Sequence, residues 1–536
     1  MAFNLADFIE HTVDAVPDRT ALVCGDRRVT FAELEDRANR LAHHLAAQGV
    51  GEKDHVAVYS YNSIEFVEAM LAAYKLRAVP INVNYRYVED ELLYLLDNSD
   101  AVAVVHQAQF SPLVETVRGR LPLLRHVITV DDGTGTPLPE GAIGYEDALA
   151  AQSPERDFAP RSSDDHYILY TGGTTGYPKG VVWRHEDVWR TLGGGIDFVT
   201  GERIEDEHRM SRDAKEAPET VGLVLAPLMH GAAQWGTLGG LIRGTTSVLL
   251  TQFDAHAVWA AVDEHKIATI AITGDAMAIP LIDALREREY DLSSLVAVAS
   301  TAAVFSPVVK DQLFELLPNL FISEAVGSSE SGFNGMRLVE KGKTSVDGLI
   351  NVTPGPDTIV IDEDNRPVTP GSLGRMARGG NVPLEYYKDP EKSAATFIEI
   401  DGKRYSVPGD FARLELDGTM TLLGRGSQSI NSGGEKIYPE EVESALKSHP
   451  KVFDALVVGV ADQRWGQKVA CLVQPRPGGA PTLDELVEHC RTKIAGYKVP
   501  RQLHLVDEMP RHPSGKPDYR RAMAVANDNA ATGGAP

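Results

Sequence analysis

The chain has 536 residues, of which 43% are hydrophobic, and this predicts two or more domains with substantial cores. Its net charge of −24 argues against a nucleic-acid-binding surface, because such a surface needs clustered cations. The three cysteines, Cys24, Cys471 and Cys490, have neither metal-ligand spacing nor a disulfide framework. Reduced thiols, an N-terminus without a secretory hydrophobic stretch and no apolar run of transmembrane length predict a cytoplasmic protein.

The first part of the chain alternates short strands with helices. A helix is predicted from the capping box of Thr30 and Glu33 to the stop signal at Gly49. The elements after it predict βαβ units and a largely parallel sheet. In chain order they are the strand HVAVYS, the helix SIEFVEAMLAAYK, the strand AVPINV, the helix VEDELLYLLDN and the strand AVAVV.

Two polar stretches interrupt this alternation. Residues 131–165 are rich in proline, glycine and charge and are predicted to be a surface connection. Residues 202–220, ERIEDEHRMSRDAKEAPET, lack an apolar stripe and are predicted to be a solvated excursion. The α/β alternation then resumes, and beyond about Gly355 it gives way to short strands with tight turns. One of these is a predicted hairpin with Asp417-Gly418 at its tip.

The changes in pattern predict three parts of the chain. An N-terminal domain is expected at residues 1–426, and a smaller C-terminal domain at 427–522. The small and polar residues at 523–536 are predicted to be a disordered tail.

The run YTGGTTGYPKG at 170–180 contains four glycines, three threonines and one lysine. Backbone N–H groups and hydroxyls in such a turn converge on an anion, and the lysine adds charge. The spacing does not fit the Walker A pattern, because Tyr177 and Pro178 separate Gly176 from Lys179. Strand-like flanks predict that the loop joins two strands. A flexible surface loop is the simpler alternative, but glycine, threonine and lysine together favour phosphate binding.

Four further motifs follow this loop in a fixed order. They are PLMHG (227–231), VGSSE (326–330), YSVPGD ahead of a Gly-Arg pair (405–425) and PSGK (513–516). The set resembles the adenylate-forming superfamily of acyl-CoA synthetases, peptide-synthetase adenylation domains and luciferases, from about Asp18 to Arg521. The resemblance implies an α/β fold with a large N-terminal domain of α/β sheets plus a small β-barrel-like part. It also implies a smaller, mobile α+β C-terminal domain, with the site at the interface.

The chemistry of carboxylate activation fits these residues. A carboxylate is a poor acyl donor, whereas its mixed anhydride with AMP has a good leaving group that a thiol can displace. Such an enzyme needs a phosphate clamp, a metal-binding carboxylate, a ribose acceptor and a cation at the reacting oxygens. The resemblance implies that Lys516, Glu330 and His230 are catalytic, and that Glu330 and Thr171 hold Mg²⁺.

The resemblance also implies contacts with ATP and CoA, in which Asp410 and Arg425 meet the ribose and Gly434 borders the pantetheine passage. The full set of implied cofactor-binding residues is Thr171, Gly172, Gly173, Thr174, Thr175, Gly176, Lys179, Gly327, Ser328, Ser329, Asp410, Arg425, Gly434 and Lys436.

Several of these residues have simpler interpretations. Glu330 could be a surface acid at a strand end, Asp410 a turn aspartate, His230 a structural histidine and Lys516 a solvated lysine. The motif context favours the functional interpretation.

The sequence departs from the family pattern in four places. Val326 stands where an aromatic residue usually stacks on adenine, and Thr301–Val304 replaces a Gly-Gly-Ala-Pro stretch. The hinge position is Ser427, and Gly172 replaces the first serine of the common phosphate loop.

The predicted function is ATP-dependent ligation of CoA to a fatty, steroid side-chain or other bulky or aryl carboxylic acid. Motif details such as WRHED (183–187) and TGDAMAIPL (273–281) resemble bacterial steroid side-chain and bulky-acid CoA ligases. The alternatives are an adenylating enzyme that serves a carrier protein, and a nucleotide-binding regulator without turnover. Expected cofactors are ATP, Mg²⁺ and coenzyme A. The expected partners are small molecules, without nucleic acid or a transmembrane segment, and a homodimer is compatible with the sequence.

Overall fold

A computed structural model describes residues 3–171, 178–196, 202–301, 303, 305–342, 349–425, 428, 430–432, 435–462, 466–494, 496–512 and 516–528. Within these residues the strands are, in chain order, β1 (Thr20–Cys24), β2 (Arg27–Thr30), β3 (His55–Tyr59), β4 (Val79–Asn82), β5 (Ala101–Gln107), β6 (His126–Val130), β7 (Ile143–Gly144), β8 (His166–Thr171), β9 (Lys179–Arg184), β10 (Val221–Val224), β11 (Thr246–Leu249), β12 (Thr269–Ile272), β13 (Ala297–Thr301), β14 (Phe321–Ser328), β15 (Gly332–Val339), β16 (Asn351–Pro354), β17 (Thr358–Ile361), β18 (Leu373–Gly379), β19 (Glu385–Tyr386), β20 (Phe397–Ile400), β21 (Lys403–Ser406), β22 (Asp410–Leu414), β23 (Met420–Arg425), β24 (Ile430–Ser432), β25 (Glu435–Ile437), β26 (Val452–Asp462), β27 (Gly466–Pro475) and β28 (Gln502–Leu505).

The α-helices of the same residues are α1 (Leu5–Ala15), α2 (Phe31–Ala47), α3 (Ile64–Lys75), α4 (Glu89–Asn98), α5 (Ser111–Arg118), α6 (Tyr145–Ala150), α7 (His185–Val188), α8 (Arg209–Glu216), α9 (Gly231–Ile242), α10 (Ala255–His265), α11 (Asp275–Glu287), α12 (Pro307–Leu316), α13 (Pro390–Thr396), α14 (Pro439–Lys447), α15 (Leu483–Arg491) and α16 (Tyr519–Asp528). A 3₁₀ turn covers Ala108–Phe110, and a π-helical turn covers Trp189–Gly193.

A parallel five-stranded sheet lies near the N-terminus. Its strand order is β4-β3-β5-β6-β7, and every neighbouring pair is parallel. This confirms the predicted βαβ units. The predicted capping box is also present, because Thr30 Oγ accepts from the Glu33 amide at 3.1 Å and the Glu33 carboxylate accepts from the Thr30 amide at 2.7 Å.

A larger mixed sheet carries most of the remaining strands of the N-terminal part. Strands β1, β11, β10, β12, β13 and β14 run parallel, and β14 then pairs antiparallel with β15. Antiparallel strands from Asn351 to Arg425 continue the sheet and form the predicted β-rich part. The predicted hairpin is formed by β22 and β23, and Gly418 at its tip has a φ of 85°.

The C-terminal part has its own sheet, in the order β25-β24-β27-β26, with β28 parallel to β27. Two apolar clusters of this part include residues of β26 and β27. One contains residues of α14 and α15 such as Val442 and Leu486, and the other contains Ala522 and Ala526 of α16. A separate core of this kind is what an independent domain requires.

The two polar stretches are mostly exposed, as predicted, but each also includes a short helix. Residues 202–220 include helix α8, in which Ser211 and Ala214 are buried. Residues 131–165 include helix α6, in which Tyr145 is buried. The predicted disordered tail at 523–536 begins too early, because α16 continues to Asp528 with Ala526 fully buried, whereas residues 529–536 lie outside the described part.

A buried ion cluster joins the first three helices. The ammonium group of Lys75 donates to Glu10 at 2.6 Å and to Glu35 at 2.8 Å, and all three side chains are less than a tenth exposed.

The described helices include no segment long and apolar enough to cross a membrane.

Candidate active site

A cavity of about 320 Å³ lies where the carboxyl end of β14 faces the C-terminal part of the chain. Many residues predicted for the site lie in its lining. These are Thr171, Gly327, Ser328, Ser329, Glu330, Asp410 and Lys516. The cavity therefore joins predicted residues from four separate motifs, including one contributed by the C-terminal part.

The carboxyl end of β14 is shaped by glycines. The register between β14 and β15 shifts after Val326, and a Cβ atom on Gly327 would lie only 2.4 Å from the carbonyl oxygen of Gly332. Gly332 itself has a φ of 66°, which favours glycine. Within the turn between them, the Ser331 amide donates to Ser328 Oγ at 3.2 Å. The turn places Glu330 at the cavity wall.

Glu330 is held through both its carboxylate and its backbone. Its Oε1 accepts a hydrogen bond of 3.2 Å from the hydroxyl of Tyr386, and its carbonyl oxygen accepts one of 2.5 Å from Ser406 Oγ. The residue is 9% exposed. Glu330 is thus a positioned acid, and the interpretation as a loose surface acid is wrong.

The strands that flank the Thr/Gly loop are β8 and β9, which pair antiparallel from His166–Arg184 to Thr171–Lys179. This confirms that the loop joins two strands. Five predicted loop residues, Gly172, Gly173, Thr174, Thr175 and Gly176, lie outside the described part of the chain.

Lys179, the cation of this loop, lies close to Tyr386, the residue that hydrogen-bonds the Glu330 carboxylate. Its ammonium group pairs with Asp389 and lies 5.9 Å from the centre of the Tyr386 ring. Lys179 is not among the residues that line the cavity. Tyr386 therefore separates the loop lysine from the acid.

Asp410 begins β22, directly after Gly409, whose φ is 100°. Its register partner is Arg425 at the end of β23, so the backbone brings the two predicted ribose-binding residues together. Of Arg425 only the backbone is described, and the same holds for Lys436, whose register partner in β24 is Asn431. Gly434 and Ser427 lie outside the described residues.

His230 stands at the N-terminal cap of α9, and its Nε2 is buried without a hydrogen-bond partner among the described residues. Burial, with smaller contributions from the neighbouring Lys516, Arg86 and His512, lowers the pKa of His230 to about 4. The imidazole is therefore neutral at physiological pH, with Lys516 nearby.

Lys516 is exposed and belongs to the C-terminal part. Arg511 and Pro517 form an antiparallel bridge, and the His512 amide donates to the Lys516 carbonyl oxygen at 2.8 Å. Lys516 is among the residues that line the cavity.

Sequence reasoning missed a group of charged residues along the cavity. Asp454 accepts from Lys447 at 3.2 Å and from Arg511 at 2.7 Å, and both cations line the cavity together with Asp275. Burial raises the pKa of Asp275, while the charge of Lys447 and the hydrogen bond from the Ser306 amide partly offset this effect. Asp275 lies within the motif TGDAMAIPL, which was the only sequence signal for the group.

The departures from the family pattern change the cavity wall. Val326 lines the cavity together with apolar neighbours. Ala303 of the altered Thr301–Val304 stretch also lines it, whereas residues 302 and 304 lie outside the described part. The apolar neighbours of Val326 in the lining are Ala325, Ile350, Met376 and Leu422. A planar base such as adenine would contact aliphatic side chains at this wall.

A cavity at the carboxyl ends of parallel strands, bordered by a second domain, is typical of a nucleotide-binding α/β enzyme. Two family models match the chain in agreement with this class. The model of the AMP-binding enzyme matches residues 9–387, and that of the AMP-binding enzyme C-terminal domain matches 441–516. The chain belongs to the AMP-binding enzyme family.

Individual relatives agree with this assignment. The chain is 55% identical to the 3-oxocholest-4-en-26-oate–CoA ligase of Rhodococcus rhodochrous, over 97% of this chain and 96% of that protein. It is 53% identical to the medium/long-chain-fatty-acid–CoA/3-oxocholest-4-en-26-oate–CoA ligase of Mycobacterium tuberculosis H37Rv, with the same coverage.

Solved structures show the same fold at low identity. The anthranilate CoA ligase AuaEII in complex with anthranoyl-AMP has a TM-score of 0.84 at 24% identity, with 99% of this chain and 98% of that chain covered. ATP-bound MatB from Rhodopseudomonas palustris also has a TM-score of 0.84, at 22% identity, with 99% and 100% covered. The predicted superfamily, fold class and AMP-forming CoA ligase activity are therefore confirmed, and the carrier-loading and regulatory alternatives are not supported.

Proposed function

We propose that this ATP-dependent acyl-CoA ligase activates a bulky, apolar acid of the steroid side-chain or medium- to long-chain fatty type. The main support for the proposed site is that Glu330, Asp410 and Lys516 line the same cavity. The reaction has two halves. The carboxylate displaces pyrophosphate from the α-phosphate of ATP to give acyl-AMP, and the CoA thiol then displaces AMP.

In the first half, the preorganised groups stabilise the charge that moves onto pyrophosphate. Lys516 supplies a cation at the reacting oxygens. His230 is buried and neutral near Lys516. Its imidazole can therefore hydrogen-bond the substrate carboxylate, while Lys516 supplies the positive charge. The Thr/Gly loop with Lys179 holds the outer phosphates, with Ser329 next to them. Asp410 and Arg425 meet the ribose.

The residues present fit Mg²⁺. Glu330 and Thr171 offer a carboxylate and a hydroxyl oxygen in one cavity, and hard oxygen donors are what Mg²⁺ prefers. When bound, the ion neutralises phosphate charge. Tyr386 holds the Glu330 carboxylate in one orientation through its hydrogen bond.

The proposed substrate class rests on the names of similar proteins. Relatives that are 53–55% identical carry names of ligases for 3-oxocholest-4-en-26-oate, a steroid acid, and one name adds medium/long-chain fatty acids. Gly434 and Lys436 are proposed to border the passage of CoA. A cytoplasmic location and a homodimer remain predictions.

The test is a screen of purified enzyme with ATP, Mg²⁺ and CoA against a steroid side-chain acid, decanoate, benzoate and acetate. We expect acyl-CoA formation with the highest kcat/KM for the steroid or the fatty acid. Acetate as the best substrate would overturn the substrate proposal. Pyrophosphate release with each acid, measured with and without CoA, reports the first half-reaction separately.

A further inference from the structure

Two histidines and a glutamate meet in the N-terminal part, outside the lining of the cavity. His11 lies on α1, and Glu207 and His208 directly precede α8. The rings of His11 and His208 have centroids 4.0 Å apart, and one donor atom of each of the three residues lies within 4.8 Å of the other two. We propose that His11, Glu207 and His208 form a Zn²⁺ site.

The state of His11 supports this proposal. Its Nε2 is buried and has no hydrogen-bond partner among the described residues. A buried polar atom without a partner is costly, and a metal ion would satisfy it.

The donor set favours Zn²⁺ over Mg²⁺. Two imidazoles and one carboxylate suit a borderline metal, whereas Mg²⁺ prefers oxygen ligands. Tetrahedral bonds of about 2.0–2.1 Å require donor atoms roughly 3.3 Å apart. Glu207 Oε1 and His208 Nε2 are 3.8 Å apart, and the His208 side chain is half-exposed. Zinc binding therefore requires rotation of the Glu207 and His208 side chains, and water takes the fourth position.

The site would join α1 to α8, two elements that are far apart in the sequence. Helix α8 also reaches the turn that follows the π-helix, because the Met210 methyl group lies 3.1 Å from where a Cβ of Gly194 would be. An ion that binds only the folded chain stabilises it. Zinc is therefore expected to raise the thermal stability of the enzyme.

The test uses the full chain after treatment with a chelator, without nucleotide. Zn²⁺ binding is measured by isothermal titration, and Co²⁺ is added as a spectroscopic probe of four-coordinate binding. The variants are His11→Gln and His208→Gln. The matched control is His256→Gln, an exposed helical histidine whose Nε2 is 3.2 Å from Glu287. His208 makes no side-chain capping bond to α8, so its substitution leaves the helix cap intact.

We expect the wild type and His256→Gln to bind one Zn²⁺ tightly, with a rise in Tm and visible Co²⁺ absorption bands. Both cluster variants should lose roughly tenfold or more in affinity, and lose the rise in Tm. Failure of the wild type to bind Zn²⁺, or wild-type affinity in both His11→Gln and His208→Gln, would overturn the proposal. If His11→Gln does not fold, the His208→Gln result decides.

Discussion

The hydroxyl of Tyr386 donates a hydrogen bond of 3.2 Å to Oε1 of Glu330, a residue 56 positions earlier in the chain. The tyrosine belongs to β19, which pairs with β9 at the end of the Thr/Gly loop. The same tyrosine ring lies 5.9 Å from the ammonium group of Lys179. The orientation of the acid is thus tied to the strand that follows the Thr/Gly loop.

Tyr386→Phe removes this hydrogen bond and keeps the ring. Hydrogen bonds to charged groups contribute about 1.5–3 kcal/mol, so we expect acyl-AMP formation to fall about 10- to 100-fold. If the bond orients a metal-binding carboxylate, the Mg²⁺ concentration for half-maximal rate should rise as well. Steady-state pyrophosphate release over a Mg²⁺ series measures both effects.

The matched control is Tyr387→Phe. The Tyr387 hydroxyl donates to Asp100 at 2.8 Å, away from Glu330. This variant should keep the wild-type Mg²⁺ dependence. A shift of equal size in both variants would show that the effect of Tyr386 is structural.

Glu330→Gln preserves the size of the side chain and removes its charge. We expect adenylation to fall by roughly 10²-fold or more, because charge stabilisation by a metal is worth several kcal/mol. Circular dichroism should show an unchanged fold. Wild-type activity with unaltered Mg²⁺ dependence would remove Glu330 from the metal site.

Local patterns in the sequence predicted the elements that local forces determine. The capping box at Thr30 and the two strands around the Thr/Gly loop are examples, because their signals are contained in a few adjacent residues. Helix α8 was missed because only Ser211 and Ala214 of it are buried, which leaves no apolar stripe to detect. The last part of helix α16 was assigned to the disordered tail, because the helix packs through small residues, Ala522 and Ala526, that give no strong apolar signal.

The candidate site was predicted where a motif marks it, and missed where only tertiary contact does. Glu330, Asp410 and Lys516 belong to motifs, and the cavity joins them. Tyr386 and the Lys447–Asp454–Arg511 group carry no local chemical signal, since their roles arise from pairing across distant strands and helices.

The pKa of His230 reports the position of Lys516 in solution. A positive neighbour disfavours protonation, so Lys516→Gln should raise the pKa of His230 from about 4 towards its ordinary value of 6.5. Titration of the histidine ring signals by NMR measures the change. Lys403→Gln, whose lysine pairs with Asp357 at 2.9 Å, should leave the pKa unchanged. An unaltered pKa in Lys516→Gln would place the lysine elsewhere.

Lys75→Met tests the buried ion cluster. The variant leaves Glu10 and Glu35 without their shared cation, so we expect unfolding free energy to fall by about 3–5 kcal/mol. Lys403→Met breaks an exposed pair and should cost about 0–1 kcal/mol. Urea unfolding compares the two, and equal small losses would contradict the expected cost.

The half-reactions of Lys516→Ala test the central claim most directly. The family resemblance implies that the C-terminal domain rotates near Ser427 after adenylation, which carries Lys516 away from the reacting oxygens. Acyl-AMP formation should fall on the order of 10²–10³-fold, because one preorganised donor is lost from the charged transition state. Transfer from supplied acyl-AMP to CoA should stay near the wild-type rate. Equal losses in both half-reactions, or normal adenylation, would contradict the account.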